Sequence, residues 1–189
     1  DFCLSRGLGD VYKRQYNYSE ISQNSLYMPN NNIAEQAGQY ITSLMKETNS
    51  CGGVIECIAD GLPVGLGEPV FDKLDATLAH AMMSIPATKA FAVGSGFEAA
   101  GMTGLEHNDP FYMQGRRVRT ATNHSGGIQG GISNGEDILM RIGFKPTATL
   151  MIDQQTVNRD GEDARLKGRG RHDACVLPRA VPIVEAMAW

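Results

Sequence analysis

The 189 residues are 42% hydrophobic and 20% charged, the balance of an ordinary globular chain that can bury a core, well away from the polar, highly charged range of disorder. No run approaches the roughly 20 apolar residues that cross a bilayer, and a formal net charge of -4 tells against a dedicated nucleic-acid binder, whose affinity rests on a basic excess. The cysteines (Cys3, Cys51, Cys57, Cys175) form no CxxC pair and the histidines show no zinc spacing, so reduced thiols in a cytosol-like compartment and no metal site are expected.

Residues 1–15, DFCLSRGLGDVYKRQ, have neither a periodic apolar face nor a signal-peptide core. They read as a scar of cloning or splicing, set apart from a single domain expected over 16–189. From about 33 to 47 the apolar positions Ile33, Ala37, Tyr40, Ile41, Leu44 and Met45 recur at helical spacing, with Asn32 as cap and Glu35 as its capping-box partner. Asn49 breaks that helix, and VIECIAD (54–60) reads as a strand. GLPVGLGEPVF must be loop. A second helix is predicted from Asp72, with Leu74, Leu78, Ala81, Met82 and Ile85 on one face. It stops near Pro86, because the residue before a proline is pushed out of the helical region. Residues 89–93 form a short strand candidate, and 94–122 read as irregular or hairpin-like, with GSGFEAAG a turn rather than a dinucleotide fingerprint.

Ser133 and Glu136 have capping-box spacing ahead of Ile138, Leu139 and Ile142, which predicts a brief third helix closed by Gly143. TATLMID (147–153) reads as a strand. A last helix is predicted from Pro182, where a first-turn proline loses no hydrogen bond. It reaches Trp189 with no stop signal, so the sequence is expected to continue there.

Three segments carry candidate chemistry. NHSGGIQGGISNGE (123–136) holds Gly126, Gly127, Gly130, Gly131 and Gly135 ahead of the predicted third helix, whose N-terminus would favour an anion. Such a loop lets backbone N–H groups approach a phosphate or planar ring, or serves only tight packing; local chemistry leaves both readings open. FKPTAT (144–149) offers Lys145 to a phosphate and Thr147 and Thr149 as donors, or is a solvated turn. RLKGRGRHDACV (165–176) gathers Arg165, Lys167, Arg169 and Arg171 before His172 and Asp173. Arginine forks match phosphate and carboxylate oxygens, and cations beside Asp173 would keep it ionised as a base; a solvated basic loop is the alternative. No aromatic side chains interleave with these cations, unlike a base-stacking surface.

Taken in order, GLPVGLGEPVFDKLDATLAHAMMSIPA, NHSGGIQGGISNGE, KPTAT and GRHDACVLPRAVPIVEAM together resemble chorismate synthase, over about 25–189 and in its C-terminal part. The resemblance implies an α/β (α+β) fold, a β-α-β sandwich with helices packed between antiparallel sheets, assembled as a homotetramer without nucleic-acid or membrane partners; a cytoplasmic location is expected, with a plastid as the open alternative. It implies a lyase that removes phosphate and a ring hydrogen from 5-enolpyruvylshikimate-3-phosphate by anti 1,4-elimination, giving chorismate. The family needs reduced FMN without net redox change; some members reduce it themselves, with NADP-linked chemistry, and others use an outside source. Carried onto this sequence, the flavin contacts fall at Ala87, Gly130, Lys145, Pro146, Thr147, Ala148, Thr149 and Arg171. Asp173 matches the aspartate that assists proton removal together with flavin N5. Pro86 stands where many relatives have asparagine. The family's Gly-Ser-His segment, second catalytic histidine and arginine-rich Ser-Ala-Arg segment are not in this sequence. His124 and His172 are therefore read as local structural residues, and the chain is expected to be inactive by itself. A catalytically dead flavin- or phosphate-binding relic is the alternative reading.

Overall fold

The computed structural model describes residues 17–170 and 172–189. A single turn, α1 (Tyr18–Ile21), precedes the amphipathic helix α2 (Asn31–Lys46), which buries Ala34, Ala37 and Leu44. Asn30, not Asn32, caps α2: its Oδ1 accepts the Ile33 N–H at 3.1 Å. The helix ends in a Schellman turn, with Thr48 N–H on the Met45 carbonyl and Asn49 N–H on that of Leu44.

The core is a three-stranded antiparallel sheet of β1 (Gly53–Ala59), β2 (Thr88–Val93) and a long central strand at 138–144. Helix α3 (Leu74–Met83) joins β1 to β2, which run parallel to each other with the later strand inserted between them. This is a split β-α-β unit. A 3₁₀ turn (Val70–Asp72) leads into α3, and Ser84 caps it just ahead of Pro86, the expected stop. Helix α5 (Leu177–Ala188) packs beside α3 on the same face of the sheet. Ile55, Leu78, Met82, Ile138, Met140, Ile142 and Val184 fill the space between sheet and helices. Helix α5 begins five residues before the predicted start, so Pro182 lies inside it.

Smaller elements decorate this unit. Between β2 and the central strand come a 3₁₀ segment (Gly96–Gly101), the turn α4 (Gly104–His107), and two hairpins. These are β3 (Phe111–Gln114) with β4 (Arg117–Thr120), and β5 (Ile128–Gln129) with β6 (Ile132–Ser133). The central strand is β7 (Ile138–Phe144); a third hairpin follows it, β8 (Asp153–Val157) with β9 (Asp163–Lys167).

Two expected elements are replaced. Ile138–Phe144 is not a helix but the central strand, with Ile138, Met140, Ile142 and Phe144 all buried at every second position. Its apolar residues also satisfy helical spacing, and cross-strand pairing with both neighbours decides the matter. Residues 145–150 are irregular, and the next strand begins only at Asp153. The expected antiparallel sheets and helices are present: every pairing between named strands is antiparallel. No described helix is long and apolar enough to cross a membrane.

Candidate functional site

At one end of the sheet, Phe144 pairs with both Gly53 and Thr88, and the chain leaves β7 as Lys145. The Lys145 N–H donates to the Ala87 carbonyl at 2.9 Å. Ala87 holds a left-handed φ of 71°, unusual for a residue with a Cβ. Ser50 Oγ donates to the Thr147 carbonyl at 2.7 Å. Gly52 fits between these segments because a Cβ there would overlap the Phe144 carbonyl oxygen. On the other side of 50–52, Cys51 N–H donates to the Ala174 carbonyl at 2.8 Å, and Cys51 forms a parallel bridge with Cys175. A chain of backbone hydrogen bonds and the Ser50 hydroxyl therefore joins Ala87, Lys145–Thr147 and the Ala174–Cys175 segment next to Asp173.

The side chains at this end are polar and reachable. Lys145 is exposed. The Asp173 carboxylate, with a third of its side chain exposed, lies 3.2 Å from Arg179 Nη2. Arg179 escaped the sequence reading because the early start of α5 brings it back toward Asp173. The run that was expected to surround Asp173 is split instead: Arg165 and Lys167 sit on β9, opposite Gln155 and Asp153. Arg171 lies outside the described residues. His172 is exposed, its Nε2 donating weakly to the Arg169 carbonyl at 3.4 Å. Thr147 Oγ1 is buried and has no hydrogen-bond partner, while Ala148 and Thr149 are exposed beside it.

The glycine loop lies elsewhere. The Gly131 carbonyl accepts the Leu74 N–H at the start of α3, whereas Ala87 follows the end of that helix. The loop and the Ala87–Lys145 contact thus stand about 15 Å apart along a ten-residue helix. A strand, not a helix, follows the loop in sequence, so the N-terminus of the expected third helix is not there to add to its pull on an anion. Ser133 and Glu136 are likewise not a capping box. Ser133 Oγ donates to the Pro63 carbonyl and accepts the Leu66 N–H. Glu136, buried, accepts the Thr120 N–H at 2.8 Å and pairs with Arg119 at 2.9 Å.

Packing explains most of the glycines. A Cβ on Gly126, Gly127, Gly131 or Gly135 would collide with the Gly94 backbone, the Asp137 carbonyl, the Lys73 side chain or Val64. Gly130 differs: at φ 61° its Cβ position faces open space within 4 Å. The loop's stem is fixed by Asn123, which accepts the Gly127 N–H at 2.6 Å and donates to the Asp137 carbonyl at 2.7 Å. Buried Asp109 accepts from Thr122 Oγ1 (2.7 Å) and from the His124 (2.8 Å) and Ser125 (2.9 Å) N–H groups. Burial alone would raise the Asp109 carboxyl, but these hydrogen bonds outweigh it and hold the group below its ordinary value. His124 Nδ1 meets Ser95 Oγ at 2.9 Å, a structural contact. Among the described residues, no three His, Cys, Asp or Glu side chains gather as a metal site.

Residues 6–189 match the family model described as chorismate synthase, beginning inside the opening segment set apart above. Chorismate synthase from Akkermansia muciniphila is 79% identical over 171 residues, covering 90% of this chain and 47% of that protein. That of Methylacidiphilum infernorum is 60% identical over 168 residues, covering 89% and 46%. A crystal structure of chorismate synthase superimposes with a TM-score of 0.75 at 28% identity, covering 95% of this chain and 47% of that one. The chain spans about half the length of the curated relatives it matches.

Proposed function

From the premise that the chain belongs to the chorismate synthase family, we propose that it forms part of a chorismate synthase, a carbon–oxygen lyase. The enzyme converts 5-enolpyruvylshikimate-3-phosphate to chorismate by anti 1,4-elimination of phosphate, in the shikimate pathway to aromatic amino acids, as a cytoplasmic homotetramer. The observation that carries the reading is the linkage, through Ser50–Gly52, of Ala87, Lys145–Thr147 and the Ala174–Cys175 segment beside Asp173 at one end of the sheet.

Reduced FMN is the cofactor in this proposal, and two features fit it. Thr147 Oγ1 is a buried hydroxyl with no partner, a state that costs about 1–3 kcal/mol and that a ligand oxygen would relieve. Gly130 presents backbone to open space. Ala87, Gly130, Lys145–Thr149 and Arg171 are its proposed contacts, and a single ligand touching Ala87 and Gly130 would have to extend along α3. When bound, the flavin lends electron density transiently to the breaking carbon–oxygen bond. The remaining work falls to the protein. Lys145 attracts phosphate, and its N–H bond to Ala87 fixes where the ammonium starts from. Arg179 orients the Asp173 carboxylate, which is placed to accept a proton from the substrate side.

The chain supplies about half of the length of its relatives, and no chorismate is expected from it alone. The test is a chimera in which residues 17–189 replace the matching part of the Akkermansia enzyme. With reduced FMN the chimera should form chorismate at a rate comparable to its parent. A folded chimera that binds substrate and flavin but makes no chorismate would overturn the proposal.

A further inference from the structure

Cys51, just ahead of β1, and Cys175, just ahead of α5, face each other across the parallel bridge that carries the Asp173 segment. Residues paired in this way have Cα atoms about 5 Å apart, inside the roughly 4.4–6.8 Å that a disulfide spans. Both thiols are free and half-buried, and they lie close enough to act on each other electrostatically. They open onto an apolar cavity of about 320 Å³ whose walls include Tyr18, Met28, Tyr40 and Val54. Cys57, the other described thiol, lies on β1 and packs into the core beneath α5.

We propose that Cys51 and Cys175 are an oxidative modification site at which a small hydroperoxide forms a reversible intramolecular disulfide. One thiol, as thiolate, attacks the peroxide oxygen, breaking the O–O bond and becoming a sulfenic acid as hydroxide leaves. The second thiol then displaces that oxygen as water. Two thiols and one hydrogen peroxide give one disulfide and two waters, and a dithiol reductant reverses the change.

The location gives the bond a consequence. Cys175 is two residues from Asp173, and Cys51 lies between Ser50, which holds Thr147, and Gly52, which nestles against Phe144. The disulfide would staple the Asp173 segment to the edge that carries Lys145–Thr147. Burial, followed by repulsion from Cys175, pushes the Cys51 thiol up to about 11. Cys51 is therefore protonated at neutral pH, and oxidation should accelerate as pH rises and thiolate forms.

The experiment treats the folded chain with hydrogen peroxide at mildly alkaline pH, blocks remaining thiols and digests after Lys, Arg and Glu without reduction. Cleavage at Glu56 separates Cys51 from Cys57. The expected product is one cross-linked peptide pair containing Cys51 and Cys175, absent after dithiothreitol and absent from urea-unfolded chain. Amide hydrogen exchange over 172–176 should slow at least about tenfold in the oxidised form. Oxidation of folded chain that leaves both thiols alkylatable, or that joins Cys175 to Cys57, Cys3 or a second molecule, would overturn the proposal. So would unchanged exchange over 172–176. None of these readouts depends on turnover, so they stand apart from the proposed lyase activity. Cys51→Ser confirms the assignment if Cys175 is then recovered unpaired.

Discussion

The left-handed backbone at Ala87 gives a direct handle on the end of the sheet where Lys145 begins. With φ at 71°, the alanine Cβ crowds its own peptide, a cost of about 1–2 kcal/mol. Glycine removes that strain but gives back about 0.5–1 kcal/mol through the extra freedom of the unfolded chain. The half-buried methyl, which packs on the core, forfeits about another 0.4 kcal/mol. Ala87→Gly should therefore change stability by between about −0.4 and +1.1 kcal/mol, which is unusual tolerance for a residue against the core. Ala87→Val should cost about 2 kcal/mol or more, because a β-branched residue is a true outlier there. Urea unfolding of the three chains, followed by circular dichroism, measures both differences. Since the Ala87 carbonyl holds the Lys145 N–H, the valine variant should also show faster amide exchange at Lys145. A valine variant within about 0.5 kcal/mol of wild type, or a glycine variant more than about 1 kcal/mol less stable, would refute the reasoning.

Met140 is 1% exposed at the centre of β7, so Met140→Ala should destabilise by about 2–5 kcal/mol in the same assay. In the helix expected from sequence, Met140 lies off the Ile138–Leu139–Ile142 face, and the change would be mild. Asp109→Asn should cost about 1–3 kcal/mol at neutral pH, read by thermal or urea unfolding, because one amide cannot accept all three hydrogen bonds. The folded Asp109 pKa lies below its ordinary 3.8, so the folded chain binds this proton less readily than the unfolded one. Its contribution is complete above that ordinary value and is lost as pH falls through 3.8 and on through the depressed folded value. The variant should show a shallower acid loss of stability over that window, and an unchanged acid limb would count against the network.

Where local pattern and tertiary context agree, the sequence was readable. Helix α2 follows its apolar spacing, β1 and β2 their short runs, and α3 stops where Pro86 requires. Strand β7 was misread because ILMRIGF suits two periods at once, and its pairing partners lie about 50–90 residues away in the chain. The β8–β9 hairpin did carry a local signal, Asp160-Gly161 between polar and β-branched runs, and Asn158 Oδ1 gathers the turn by accepting from Asp160 and Glu162. Opening that hairpin at Asp153 left 145–150 irregular rather than extended. The family motifs singled out Ala87, Lys145–Thr149 and Asp173 as expected contacts, but gave no hint of the Ser50–Gly52 segment that lies between these stretches in space. Nothing local in SCGG announces contacts more than 90 residues away. Arg179 was missed for a related reason: Leu177-Pro178 opens α5, while the later Pro182 looked like the better start.

The most direct test of the catalytic reading is Asp173→Asn in the chimera with the Akkermansia enzyme, measuring chorismate formation and reduced-FMN binding on the same preparation. The account predicts turnover lower by about 100-fold or more, the scale of a lost acid–base group, with flavin affinity within about threefold. Near-normal turnover, or a loss of turnover fully matched by loss of flavin, would contradict it.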